Sequence, residues 1–317
     1  MSAPAIPLAE PSPIEAAREA AEHTRRLLFP FRFERWLTLG FVAFLDQCGR
    51  GGVGGAWPGS PPAGGFPGTG SGSGTGDLSS LGSWFTAHLG LIVGVAVGVL
   101  VVVVILVAVM LWIGSRATFV YNEDVATGRA ELSRPWADHA ERANSYFAWR
   151  FGLAAALLGA FALLVALAGA AALLIARGGG AGAAFGAVGL ILLVPVFLLL
   201  LLAGGLAAVA LRDFVAPLQM HGQVACGPAV RLFVSLLRAH PVPFLLYLVL
   251  KIVFGVAQGF VILLAACFTL CCILLPVVTQ TALQPLFFFE RAWSLCLLRQ
   301  MGYDLIGAGP AAEGPRV

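Results

Sequence analysis

Five stretches of this chain stay apolar for longer than the core helix of a soluble domain needs. They run approximately over 87–114, 150–176, 187–211, 243–268 and 277–298. Each reaches the ~20 residues that a helix requires to cross a hydrocarbon layer of ~30 Å. The runs are continuous rather than alternating, which excludes a transmembrane β-barrel. Backbone groups in lipid must find their partners within the segment, so the spans are read as helices. A sixth stretch, 33–47 (FERWLTLGFVAFLDQ), is shorter and carries Glu34 and Arg35 at one end.

The rest of the composition agrees. Charged residues make up 11% of the 317, against roughly 25% in soluble domains, too few to cover a globule of this size with a hydrated surface. A soluble enzyme, a nucleic-acid-binding protein and a disordered chain are therefore excluded. The positive charges then orient the spans. With six crossings and both termini cytoplasmic, sixteen of the eighteen arginines fall on the inner side; only Arg50 and Arg177 fall outside. That asymmetry is the positive-inside pattern, and it makes 33–47 a crossing, because otherwise Arg18, Arg25, Arg26, Arg32 and Arg35 would lie outside.

The reading is thus an all-α polytopic helical membrane protein, with about six transmembrane helices in three hairpins and inner amphipathic segments. Residues 1–13 are expected to be a disordered N-terminus, 14–305 the helical membrane domain, and 306–317 a disordered tail. Residues 49–76 hold 13 Gly and 4 Pro, the composition of a flexible linker, so an outer loop is placed at 49–80. Each hairpin is preceded by an inner segment: 14–28, 133–149 and 228–239. In the first, Ile14, Ala17, Ala21, Thr24 and Leu28 are expected to share an apolar face on the membrane surface. In the second, Trp136, Ala140, Ala143 and Phe147 would face lipid. The junctions EHTRRLLFPFRFERW, HAERANSYFAWRF and SLLRAHPVPFLLY suggest a threefold internal repeat.

Several of these stretches carry a resemblance. LLFPFRFERWLTLGFVAFL at 27–45, SRPWADHAERANSYFAWR at 133–150, RDFVAPLQ at 212–219, LLRAHPVPFLLYLVLK at 236–251 and FFFERAWSLCLLRQMGYDL at 287–305 resemble an uncharacterised bacterial multi-pass inner-membrane protein family, a domain of unknown function. The resemblance implies a six-span fold in the bacterial inner (cytoplasmic) membrane. It implies no catalytic residue.

Polar groups inside the spans are the candidate functional residues, because a charge in a bilayer is costly. Lys251 lies eight residues after Pro243, and Glu290 eight residues before Leu298 on the antiparallel neighbour. Gln258 and Gln284 match one step deeper. The expected feature is a polar seam, with Lys251–Glu290 as an ion pair and Gln258–Gln284 as a hydrogen-bonded pair. It would serve as an ion path or as a fastening between two helices. Gly90, Gly94 and Gly98, and Gly255 with Gly259, form GxxxG faces for close helix approach, within the chain or toward a homo-oligomer or another membrane protein. Pro195 and Pro285 are expected to kink their spans. Cys48, Cys267, Cys271 and Cys272 gather toward the outer side, as small apolar residues or as a disulfide. No zinc- or haem-type cysteine spacing, HExxH, GxSxG or GxxxxGK[ST] is present. No cofactor or metal is expected, and the chain reads as a non-enzymatic component of the membrane, with a transporter or permease using Lys251 and Glu290 as the alternative.

Overall fold

The computed structural model describes residues 10–29, 31–48, 88–268 and 276–306. The expected N-terminal disorder over 1–9, the outer loop, the tail beyond 306, Cys271 and Cys272 lie outside these residues. Every described element is helical. In chain order they are α1 (Pro13–Leu28), α2 (Phe33–Cys48), α3 (Leu89–Thr127), α4 (Ser133–Asp138), α5 (Ala140–Arg177) and α6 (Gly180–Ala210). A π turn (Leu211–Val215) joins α6 to α7 (Ala216–Gly222), followed by α8 (Cys226–Ala239), α9 (Pro241–Phe268), α10 (Pro276–Ala282) and α11 (Gln284–Gln300).

Four helices are long and apolar enough to cross a membrane: α3, α5, α6 with its continuation to Gly222, and α9. These are four of the expected spans. The count of six is not reached among the described residues. Residues 33–47 form α2, whose 16 residues measure only ~24 Å at helical rise. The 277–298 stretch is interrupted at Leu283, and α11 begins there with Pro285 in its first turn. Proline fits that position because the N–H it lacks would have no helical acceptor. Pro285 therefore starts a helix instead of kinking a span, whereas Pro195 does sit inside α6.

Burial is concentrated at one end of each long helix, with Ala171 of α5 and Gly186 of α6 buried toward the other end. In α3, nearly every described side chain from Leu91 to Met110 is exposed, while Ala117, Phe119, Val120, Tyr121 and Val125 are buried. In α5 the buried residues near the start are Ala143 and Tyr146; in α6 and its continuation burial is concentrated from Leu211 to Met220; in α9 it falls on Phe244 and Tyr247. The ends that pack are the C-terminal end of α3 and α6 and the N-terminal end of α5 and α9. Phe119 meets Tyr146 edge-on, and Phe214 meets Phe244 and Tyr247, so these ends form one core. The other ends project from it as apolar helices.

The remaining elements complete that core. α1 docks on α11 in antiparallel fashion: Ser12 N–H donates to Gln300 Oε1 at 2.8 Å, and Trp293 Nε1 donates to the Pro13 carbonyl at 2.8 Å. Arg299 pairs with Glu19, and His23 stacks on Phe288. The buried face of α1 is Ala16, Ala20, Thr24 and Leu28, and Ile14 is 64% exposed. The expected surface-lying face is thus displaced, because alanines at i, i+4 admit close approach of another helix. Ala143, expected to face lipid, is likewise buried, and Trp136 packs half-buried against Trp112 and Arg116.

α2 runs antiparallel to α3, with Arg35 Nη2 donating to the Gly128 carbonyl at one end and Thr118 meeting Asp46 at the other. Gly128 closes α3 in the left-handed region at φ 71°, where glycine carries no Cβ penalty. Gly40 lets α2 meet Thr281 of α10, where a Cβ would strike both its hydroxyl and its backbone. Gly40→Val is expected to lower stability by ~1–3 kcal/mol, the usual range for overpacking, read as a lower melting temperature in detergent.

His23 supplies a pH dependence. Its Nε2 lies 2.8 Å from the Val125 carbonyl, and burial holds its imidazole below the ordinary value of 6.5 despite that bond. The folded state therefore binds fewer protons than the unfolded chain as pH falls through ~6.5 and below, so this contribution is present above that value and lost beneath it. The melting temperature should fall between about pH 7.5 and about pH 5.5, and His23→Gln should reduce the fall.

Candidate functional site

The packed core is built around charge. Asp46 near the end of α2, Arg212 and Asp213 in the π turn, Lys251 on α9, and Glu290 and Arg291 on α11 converge there. Three carboxylates meet three cations. Arg212 Nη2 donates to Asp46 Oδ2 at 3.0 Å and Arg212 Nη1 to Glu290 Oε1 at 3.2 Å. Lys251 Nζ donates to Glu290 Oε1 at 2.9 Å and also pairs with Asp213. Arg291 Nη2 donates to Asp46 Oδ2 at 2.9 Å and its Nη1 to the Arg212 carbonyl, also at 2.9 Å. Arg291 is among the largest fully buried side chains.

Neutral groups hold the ends of this network. Thr118 Oγ1 lies 2.6 Å from Asp46 Oδ1. The Tyr247 hydroxyl donates to Asp213 Oδ2 at 3.1 Å, and Tyr247 packs edge-on against Trp293. The Arg291 guanidinium faces the Tyr121 ring at 5.8 Å.

The π turn explains how two neighbouring charges both enter the core. Pro217 has no N–H to give to the Asp213 carbonyl, and its ring crowds that carbonyl in a regular helix. The chain widens instead: Ala216 N–H bonds to the Leu211 carbonyl, five residues back. Leu211 through Val215 are then all buried. Single π turns of this kind occur often at functional positions.

Of the expected seam, the structure brings Lys251 and Glu290 together. It does not join Gln258 to Gln284. Gln284 is fully buried and its Nε2 donates to the Tyr121 hydroxyl at 3.3 Å, while Gln258 is half-buried further along α9. The reason is helix geometry: the six residues between them on α11 turn Gln284 about 120° from the line through Glu290. The sequence reading placed Arg212 and Arg291 as inner-side topology markers and assigned no role to Asp46 or Asp213. Their signal is present: Asp46, Arg212 and Asp213 stand at the edges of apolar runs, Arg291 lies within one, and Arg212-Asp213 and Glu290-Arg291 are adjacent opposite-charge pairs.

Beside the network lies a cavity of ≈ 370 Å³. Asp46, Arg150, Arg212, Asp213 and Lys251 form its charged floor. Leu157 of α5, Leu201, Gly205 and Leu206 of α6, and Leu248 and Ile252 of α9 form its apolar walls. A second, polar hollow at the same packed end contains Glu123, Arg129, Arg134, His139 and His221. Glu123 there lies on α3 and is bonded to His139 at 2.6 Å. Among the described residues no three His, Cys, Asp or Glu side chains are grouped to hold a metal. Cys226, Cys267 and Cys296 are free thiols. Gly90, Gly94, Gly98, Gly255 and Gly259 all face open space, so these GxxxG faces contact nothing within the described chain.

The network makes a direct prediction. Removing one partner of a buried ion pair costs ~3–5 kcal/mol because it strands a charge, whereas replacing both with apolar groups is often neutral. Glu290→Leu should therefore destabilise the protein strongly, and adding Lys251→Leu should restore much of the loss. Equal melting temperatures for the single and double variants would remove the pairing as a source of stability.

No curated protein and no solved structure matches the chain. The pattern of DUF7544, a family of unknown function, matches residues 11–303, and the chain belongs to that family.

Proposed function

We propose that this protein is a non-enzymatic integral component of a bacterial inner membrane, organising or assisting a membrane complex or the bilayer around it. The observation that carries this reading is the mutual compensation of the buried charges. Asp46, Asp213 and Glu290 each face two cations, and Arg212, Arg291 and Lys251 each face two carboxylates. Such a cluster fixes four helical elements, α2, the π turn, α9 and α11, to one another. Burying it is costly in itself, so its benefit is the specification of one arrangement of helices.

Three antiparallel pairings support a layout of six crossings in three hairpins. α2 pairs with α3 through Arg35–Gly128 and Asp46–Thr118. α5 pairs with α6, where Gly186 meets Ile175 and Gly204 meets Leu157. α9 pairs with α11 through Tyr247–Trp293 and Lys251–Glu290. The described arginines cluster at the packed end, and Arg177 stands at the far end of α5. This favours a packed end and both termini on the cytoplasmic side. The uncovered glycine faces on α3 and α9 are where a second copy or another membrane protein would approach, and lipid covers the remaining apolar surface.

A transporter is the second reading, and the cavity beside Lys251 favours it. Thiol labelling separates the two in a variant free of native cysteine. Cysteines at Gly205 and Leu248 should resist a membrane-impermeant maleimide from either side, as expected of a structural core. Rapid labelling of both would make the cavity a water-filled path and transport the better reading. A cysteine at Gly179 should react from outside intact cells, and one at Glu131 only after lysis; the reverse pattern would invert the orientation.

A further inference from the structure

The cavity between α5, α6 and α9 has the two-part chemistry of an amphiphile site. Its floor carries Arg150, Arg212 and Lys251 against Asp46 and Asp213, an excess of one positive charge. Its walls are leucine, isoleucine and glycine, and their edge is open to the surface, because Leu202, Leu206 and Ile252 are exposed. Gly205 leaves the wall hollow: a Cβ there would meet nothing within 4 Å, whereas one on neighbouring Gly204 would strike Leu157. The space is at the small end of the ~300–1,000 Å³ typical of ligand pockets. It holds a headgroup and the first part of a chain, not a whole lipid.

Each part excludes other occupants. A free anion would satisfy the floor and leave the leucine walls facing water. A neutral hydrocarbon would fill the walls and bring no counter-charge to the excess positive charge of the floor. A zwitterionic lipid would bring an ammonium group toward the cationic excess. We infer that this cavity binds an anionic phospholipid of the bilayer, with its phosphate on the Arg150–Arg212–Lys251 floor and one acyl chain along the α6–α9 wall. The rest of the lipid lies outside the mouth, beside the exposed faces of the same helices. This inference rests on the reading of the chain as a membrane protein and adds a ligand class to it.

The test uses the full chain in phosphatidylcholine nanodiscs containing a minority of phosphatidylglycerol, with retained lipid counted by native mass spectrometry. Phosphatidylglycerol should be enriched about fivefold over its share of the nanodisc, the ratio that one extra cationic side chain supplies at a membrane surface. Gly205→Phe, which fills the hollow without touching the ion pairs, should abolish the enrichment and leave the melting temperature near that of the parent. Ile252→Trp, at the mouth, provides the same readout should Gly205→Phe fail to fold. Arg150→Gln should retain lipid but bring the two headgroups to parity. No enrichment in the parent protein, or equal enrichment in both filled variants, overturns the proposal. Stabilisation by inorganic phosphate alone, with no lipid retained, assigns the floor to a free anion and overturns it too. Alkaline extraction of the same membranes reads insertion separately: a chain that is extracted overturns the membrane reading and this inference together, whereas an inserted chain without enrichment overturns only this one.

Discussion

Asp46 is the side chain on which the core depends. It accepts from both Arg212 and Arg291 and meets the Thr118 hydroxyl, so one carboxylate ties α2 to the π turn, to α11 and to α3. A carboxylate taken out of water costs several kcal/mol unless its lone pairs are satisfied by well-placed partners. The rest of the core supplies those partners and then compensates them in turn. Glu290 balances Arg212, Lys251 joins Glu290 to Asp213, and Asp213 accepts from Tyr247. The helices have little freedom to slide past one another, because a shift of one turn, ~5.4 Å, would separate every pair.

This arrangement divides the molecule into two regimes. At the packed end, polar complementarity fixes helix positions, as in a soluble protein. At the other end, apolar helices project with little burial, and α5 and α6 are the pair held closely by small residues, at Gly186 and Gly204. Between lipid and leucine there is no hydrophobic gain from association, so such helices stay apart unless small residues or polar groups bring them together. The ion network therefore does the positioning that apolar packing cannot do there.

The long helices were legible in the sequence because their apolar runs exceed what any other structure requires. The Lys251–Glu290 pair was legible because depth along antiparallel helices is a matter of counting residues. Gln258–Gln284 followed from the same counting and did not form, since depth does not fix the face: six residues turn Gln284 about 120° from Glu290 on α11. Asp46 and Asp213 were not legible as members of a cluster, since a charge at the edge of an apolar run reads equally as part of the adjoining loop. Only the widened turn before Pro217 sends both Arg212 and Asp213 inward. The amphipathic pattern of α1 was visible, but periodicity does not distinguish a lipid surface from a helix surface. The closely spaced small residues Ala16 and Ala20 were the sign that the partner was α11.

The order of the charges along the chain has a consequence for synthesis. Arg212-Asp213 and Glu290-Arg291 are each neutral as made, so either dipeptide can be delivered to the membrane boundary without net charge. Asp46 is different, because its balancing charge in the cluster's total is Lys251. At about 5–20 residues per second, that interval lasts on the order of ten to forty seconds, during which α2 carries an acid whose final surroundings do not yet exist. A chain that ends early keeps this mark of incompleteness exposed. The finished cluster removes it, and the charges of the core already sum to zero once Lys251 has been made.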